Sequence, residues 1–501
     1  MIGKPMNFTT THNHFLTTAL LFLTVSCTPT SLTLHQRNAV PSISETAKIY
    51  LDTVIAWNTN YGIANSISLT GSSWPLAIAV GSDHSPVINL WPAPNMFAPG
   101  VGQVASFVKM SPTGSIVWAK QLIPATFPTM IDPSPNSWPE TAQIDSDDSI
   151  YFAGFTSSNM FETNGGSNDM WIVKLDKNGN TLWAKQIGAD TIAAYNVANG
   201  TSFSAAGLER AGDATIVGAS LYLAGTTSGS LGATNPDGGS DVFMIKIDRA
   251  TGALQKIWQA GQPGNQYAGH PTYINNKFIL GGSTDTSLND TLSGTSDILF
   301  YQVSADLSAA THHQLGQNFA TANGLNLSGG ESAGSMMIDP HGNMVLPFTC
   351  VFDFIEVHQG NDICVISMSN VSTVNWVKHF GTTSLPTGTA NESLKSASID
   401  SKGTLFLTLQ TTSSLFDNFA GGIDYALIKV NSSDGTLISG KQYGQNAGSP
   451  FASGSLTGNE WNYASVYRDG KVYSILSSES TNVVGPNPGT ETPLFIIHDA
   501  D

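Results

Sequence analysis

Five aspartates recur at matching places along the chain: Asp169, Asp241, Asp297, Asp362 and Asp424. A ring of carboxylates of this kind could ligate cations or carry acid–base chemistry. Each of them, however, opens the same strand-like run in its own stretch of sequence. Symmetry would hold them apart, and an Asp at such a place most simply accepts backbone N–H groups in a turn. The recurring lysines Lys109, Lys174, Lys246 and Lys429, with Lys120 and Lys185 nearby, read as charges near unit peripheries that discourage edge pairing. Asp176-Lys-Asn-Gly-Asn180 and Asp145-Ser-Asp-Asp148 offer oxygen atoms at alternate positions, as calcium requires. Neither continues to a Glu at the necessary distance, and a hairpin turn accounts for both. His312 and His313 point to opposite faces of any strand. His341 and His358, with Asp353 and Glu356, form the one cluster with metal-ligating character. There is no Gly-x-Ser-x-Gly elbow, phosphate loop, His-Glu-x-x-His or zinc-spaced Cys/His set. The residues therefore predict no catalytic group, no metal and no cofactor.

The elements that carry these residues are indicated by composition. Charged residues make up 11% of the 501, against the usual quarter or so, and Gly, Ser, Thr and Asn are abundant. That suits short strands joined by many turns and does not favour helix. A formal charge of −17 without a Lys/Arg cluster longer than two residues argues against nucleic acid and anionic lipid surfaces as partners. The N-terminus has Lys4, no acidic residue before Glu45, and an apolar run from Phe15 to Val25 that is too short to span a bilayer. Residues 1–26 read as a signal peptide.

That run ends in Leu23-Thr24-Val25-Ser26-Cys27, which resembles a bacterial lipobox. The resemblance implies a diacylglycerol on Cys27 and membrane attachment through lipid. Thr24 stands where such boxes usually carry Leu, so ordinary cleavage with a free Cys27 stays open. Residues 27–52, rich in Pro, Ser and Thr, read as a tether. Export would allow a disulfide between the two other cysteines, Cys350 and Cys364, and two buried thiols are the alternative.

One unit recurs through the rest of the chain. An apolar strand ends near Gly-x-Thr/Ser, a polar loop follows, Gly-x-x-Asp opens a strand carrying Lys, and after a tight turn a Trp-x-Lys strand ends in Gly. Its clearest copy runs from Ser149 to Gly188. The third strand of the unit is found at Ala105–Met110, Met170–Leu175, Val242–Ile247, Ile298–Val303, Ile363–Met368, Tyr425–Val430 and Leu494–Asp499. These runs are nearly continuously apolar, as strands buried on both faces are. The fourth strand follows the first six copies and is missing after the last. Thr53–Gly62 matches its pattern, with Trp57 five residues before Gly62 as Trp183 is before Gly188. The reading is an all-β, seven-bladed β-propeller with four-stranded blades over residues 53–501. Its N-terminal strand would complete the last blade and remove an exposed edge.

The unit resembles the SBBP (seven-bladed β-propeller) repeat family, and in particular spirochaetal lipoproteins built from such repeats. Its Gly-Ser-Asp-apolar-apolar-x-Lys motif is well formed at Gly239–Lys246 and Gly166–Lys174 and eroded in the first, fifth and seventh units. The resemblance implies an outer-membrane or cell-surface location and, for some members, binding of host extracellular-matrix proteins.

In such a ring the loops between strands two and three, and those between blades, open on one face. Here they are long, as at His84–Gly102, Ile123–Pro139, Ala189–Ser204, Gln317–Ser332 and Gln445–Glu460. The opposite turns, such as Ser111–Gly114 and Arg468–Gly470, are tight. Long loops on a rigid scaffold are the usual place for recognition. The candidate ligand-binding residues are Trp91, Phe97, Trp138, Tyr195, Phe352, Phe416 and Trp461, with Phe203, Phe354 and Phe419 near them. Alternatively these aromatics pin the loops to the ring. The function expected is a monomeric, non-enzymatic scaffold that binds protein or glycan. A propeller enzyme (hydrolase, lyase or quinoprotein) and a structural envelope subunit are the alternatives.

Overall fold

A computed structural model describes residues 33–35, 50–56, 74–91, 103–112, 115–133, 135–327, 329–333, 335–351, 360–381, 390–416, 419, 422–443, 459–478 and 492–499. Cys27, Phe97, Phe352, Asp353, Phe354, Glu356 and His358 lie outside them.

The described chain is an all-β propeller of small antiparallel sheets set in a ring. Each apolar third-strand run is a strand, for example Asp169–Leu175 and Asp241–Asp248. Burial on both sides explains their composition. Phe107, Phe152 and Trp171 share one inter-sheet core, and Tyr151, Ile172, Phe243 and Ile245 share the next. Phe107 stacks on Phe152 across a junction, with ring centroids 4.2 Å apart.

Four sheets have four strands and one has five, so five sheets stand as separate blades instead of the expected seven. The remaining strands form one nine-stranded sheet, holding two of the third-strand runs, Gly360–Asn370 and Asp424–Asn431. The cause is local. Three other junctions are made by one parallel bridge each, Asn168 with Leu208, Ser296 with Gly330 and Ile423 with Asn459. In the nine-stranded sheet the contact is two residues long, Gly360 with Ala390 and Asn361 with Asn391.

The strand Tyr50–Ala56 pairs with Thr492–Asp499, Thr53 opposite Ile497 and Ala56 opposite Leu494. It starts three residues before the expected Thr53, and its other edge carries the short strand Thr33–His35, inside the stretch expected as a tether. Cys350 and Cys364 are bonded, with Cα atoms 5.8 Å apart, across the adjacent strands Met344–Val351 and Gly360–Asn370.

Two expected loops are in part helical. Helix α1, Ala189–Asn199, and helix α2, Gln317–Asn323, each end at a left-handed glycine, Gly200 and Gly324. Neither has a side-chain cap of its own. Glu162 instead accepts the N–H groups of Gly188 and Thr191, and Asp290 those of Gly316, Asn318 and Phe319. A carboxylate from a preceding loop thus satisfies each helix start.

Candidate functional site

The repeated residues turn out to be fasteners. Asp169, Asp241, Asp297 and Asp424 are fully buried, and each accepts a side-chain N–H from the outer strand of its own sheet. The donors are Gln186, Gln259, Gln314 and Gln442, at 2.7–2.8 Å. At Asp362 the partner is His379, 2.7 Å away. The third-strand lysines are not at the periphery as expected but between sheets. Lys174 donates to the Arg249 carbonyl and lies over the Tyr151 ring, and Lys109 donates to the Lys177 carbonyl. In the calcium-like loops, Asp176 accepts the N–H groups of Asn178 and Asn180, and Asp145 is held by Arg249 at 2.8 Å. His312 and His313 oppose Tyr301 and Phe300 on alternate faces. Among the described residues no three His, Cys, Asp or Glu side chains gather as a metal site would need.

The first strands of successive meanders form the wall of a central channel of about 680 Å³. They include Trp74–Val80, Ser137–Ile144, Glu209–Val217, Gln266–Ile274, Ala390–Ile399 and Glu460–Arg468. Each contains a bulge near its start. The ladder to the neighbouring strand skips Leu76, Glu140, Gly212, Gly269 with His270, Lys395 and Tyr463 in turn. A bulge re-aims a side chain out of the ladder. All of the skipped residues but Tyr463 face the channel, so the same distortion delivers a different chemical group from each blade.

Asp213 and His270, from neighbouring inner strands, meet at 2.9 Å with about a third of each side chain open to the channel, 36% and 32%. Asp213 also accepts hydrogen bonds from the Thr141 hydroxyl and the Gln143 amide. Burial pushes its carboxyl up, but the His270 charge and these hydrogen bonds outweigh that, leaving it below its ordinary value. Burial pushes His270 down, and the Asp213 charge and hydrogen bond more than reverse it. The other ring nitrogen of His270 lies 3.2 Å from the Thr215 hydroxyl, whose single proton goes to the Pro271 carbonyl. A proton on each ring nitrogen satisfies Asp213 and Thr215 together, in keeping with the upward push on His270. At the rim Arg210 binds Glu140 at 2.8 Å, while burial raises the Glu140 carboxyl against that bond.

Of the aromatic candidates, the structure brings Trp91 and Trp138 together, with centroids 6.5 Å apart. They form a pile with Trp74, 4.8 Å from Trp91, and Phe155, 5.0 Å from Trp138. The Arg210 guanidinium caps it, 4.7 Å from the Phe155 centroid. Trp461 is the second residue of its inner strand, as Trp138 is of its own. Tyr195 is displaced from the binding face: it is 7% exposed in helix α1, packs in a core and stacks on Phe203. Phe416 is on an outer edge, its ring filling the space a side chain on Gly440 would need. For these two, pinning is the better account. Arg210, Glu140, Tyr267, His270 and Lys395 escape a search for repeats because they differ from blade to blade. Their signal is position: Arg210 and Tyr267 each follow the buried polar residue that opens an inner strand, Glu209 or Gln266, as Trp138 follows Ser137.

No family model matches the chain, and no curated protein does. Solved structures similar to it include the polysaccharide lyase Uly1, with 12% identity, a TM-score of 0.45 and coverage of 89% of this chain and 93% of that one. An ulvan lyase of polysaccharide lyase family 25 is 8% identical, with a TM-score of 0.47 over 85% and 93% of the two chains. The β-propeller domain of the Trilobed protease from Pyrococcus furiosus is 9% identical, with a TM-score of 0.41 over 86% and 94%. The likeness is one of fold and assigns no chemistry.

Proposed function

We propose that this chain is a seven-bladed propeller displayed on a bacterial cell envelope, anchored by lipid on Cys27, and that it works as a binding scaffold for glycan or protein. The blade count follows from treating the two-residue bridge at Gly360–Asn361 as the same junction that a single bridge makes elsewhere. The ligand site is the channel mouth and the channel beneath it. One observation carries this reading: the two carboxylates that converge there are each tied to a cation, Glu140 to Arg210 and Asp213 to His270. A hydrolase that works through a pair of carboxylates would need them free, and here each is held by a cation. A rigid polar channel beneath half-buried tryptophans suits recognition, because large aromatics contribute contact area at little entropic cost. Host extracellular-matrix proteins are the protein ligands that the family resemblance implies.

Two measurements test the proposal. Wild type should label with palmitate and partition into detergent, Cys27→Ala should do neither, and intact cells should expose the protein to protease. The purified protein should capture a matrix protein or glycan saturably, and Trp138→Ala and Trp461→Ala should weaken that capture. Absence of saturable capture across such a screen would reject the scaffold reading.

A further inference from the structure

Of the charged side chains facing the channel among the described residues, one lacks a partner. Glu140 and Asp213 are neutralised by Arg210 and His270. Lys395 has no hydrogen-bond or ion-pair partner among the described residues. It is the residue that the inner strand Ala390–Ile399 skips between Leu394 and Ser396, so the bulge turns its ammonium away from the ladder and toward the channel. The neighbouring Ser396 donates to the Ser465 carbonyl at 2.8 Å, which fixes the strand beside it. Burial alone acts on the ammonium and lowers its pKa. Since the other charges cancel, the lumen is left with one positive charge inside a chain of formal charge −17.

We propose that the channel is an anion subsite in which Lys395 receives the single negative charge, a carboxylate or a sulfate ester, of a hydroxyl-bearing ligand such as an acidic sugar. This rests on the binding reading above and names its ligand class. A partly desolvated, unpaired ammonium gains more from a counter-charge than one in water does. A single charge matches the site, because Lys395 is the one unpaired cation among the described residues facing the channel. The hydroxyl requirement follows from the wall: Ser335 and Ser398 offer alcohols with no hydrogen bond among the described residues, and Thr141, Thr272, Ser396 and Ser465, whose protons go to other protein groups, can still accept one. A volume of about 680 Å³ lies within the range of small-molecule sites.

The test is calorimetric titration of the full chain in detergent with glucuronate, glucose 6-sulfate and glucose. Both anions should bind, and glucose should bind at least about tenfold more weakly, since a charge-assisted contact is missing. Lys395→Met should lose the anion preference and Lys395→Arg should keep it, with thermal melts confirming that both are folded. In wild type, glucuronate should also protect Lys395 from acetylation, read by mass spectrometry; that readout needs no variant. Equal binding of glucose, or undiminished anion binding by Lys395→Met, overturns the inference and leaves the scaffold reading standing if matrix proteins or neutral glycans are still captured. If no ligand of any kind is captured, both fall.

Discussion

The outer strands and the inner strands of this ring are built from the same repeat and use it in opposite ways. On the outer strands the same residue type does the same job in blade after blade. Trp118, Trp183 and Trp376 donate their indole N–H to the carbonyls of Lys177, Arg249 and Ser432 in the corresponding turn of the next repeat. That turn carries a left-handed glycine, Gly179, Gly252 or Gly435, because a side chain there would strike the tryptophan ring. On the inner strands the backbone distortion is what repeats, and the residue it presents changes: Leu76, Glu140, Gly212, His270, Lys395. In a repeat protein, then, repeated residues mark the scaffold, and variation at a symmetric position marks the place where function can be specific.

The largest way to break the ring is to remove its closure. Deletion through Ala56 takes away the partner of Thr492–Asp499 and exposes a long edge strand. The product should aggregate or unfold, seen as loss of the monomer peak on size exclusion and of a cooperative melt. Deletion through residue 44 removes, of the described residues, only Thr33–His35 and should change little. Equal melts from the two truncations would reject the closure.

Next come the outer fasteners. Trp183→Ala should cost about 2–4 kcal/mol in denaturant unfolding, because it opens a cavity at a blade junction and removes one of the two hydrogen bonds to the Arg249 carbonyl, Lys174 keeping the other. Gly252→Ala should cost about 1–2 kcal/mol, since its φ of 74° is left-handed and the added carbon would meet the Trp183 ring. Neither change should alter capture of a ligand by the protein that remains folded.

A smaller effect comes from the acids that open the inner strands. Glu209 and Glu331 are 0% and 1% exposed. Burial, with Asp297 nearby, pushes Glu331 up to about 8. Burial, against the Thr227 hydroxyl and with Asp169 adding to it, pushes Glu209 up to about 7. The folded state therefore holds protons that the unfolded chain releases near 4.5. The stability this confers is complete below that value and is lost as pH rises through about 7 to 8. The melting temperature should fall between pH 5 and about pH 8.5, in the direction linkage requires. Glu331→Gln should flatten part of that fall; Gln266 already fills the same place in a neighbouring blade, fully buried. A melting temperature that rises over this range would show that these carboxyls are ionised in the fold.

How legible each part was follows from what each asks of the sequence. Double-sided burial forces apolar runs, so Met170–Leu175 and Tyr425–Val430 stand out, as do the Trp-x-Lys outer strands. A parallel bridge lengthened by one residue pair has no sequence signal, and it merges two expected blades into one sheet. Helix α1 was hidden because its start is capped from a distant loop, by Glu162. Trp91, Trp138 and Trp461 were found as aromatics near long loops. His270 and Lys395 were not, because a one-residue bulge leaves the strand's composition unchanged and residues singular to one blade are discarded in a search for repeats.

The sharpest test of the comparison uses one residue type at both radii and carries the smallest stability change. Trp138→Ala removes a ring that stacks on Phe155 at 5.0 Å and meets Trp91 of the neighbouring sheet at 6.5 Å, without an indole hydrogen bond to a turn among the described residues. An aromatic pair of this kind contributes roughly 1 kcal/mol beyond its buried area, so the melt should shift less than for Trp183→Ala. Capture of a glycan or matrix protein should weaken by about 1 kcal/mol or more, which is what loss of an interface aromatic costs at a hot spot. Changes on the opposite face, within Ser111–Gly114 or Arg468–Gly470, should leave capture intact, because those turns are too short to enclose a ligand. If those turns controlled capture and Trp138 did not, recognition would belong to the tight-turn face and the inner-strand ring would be scaffold as well.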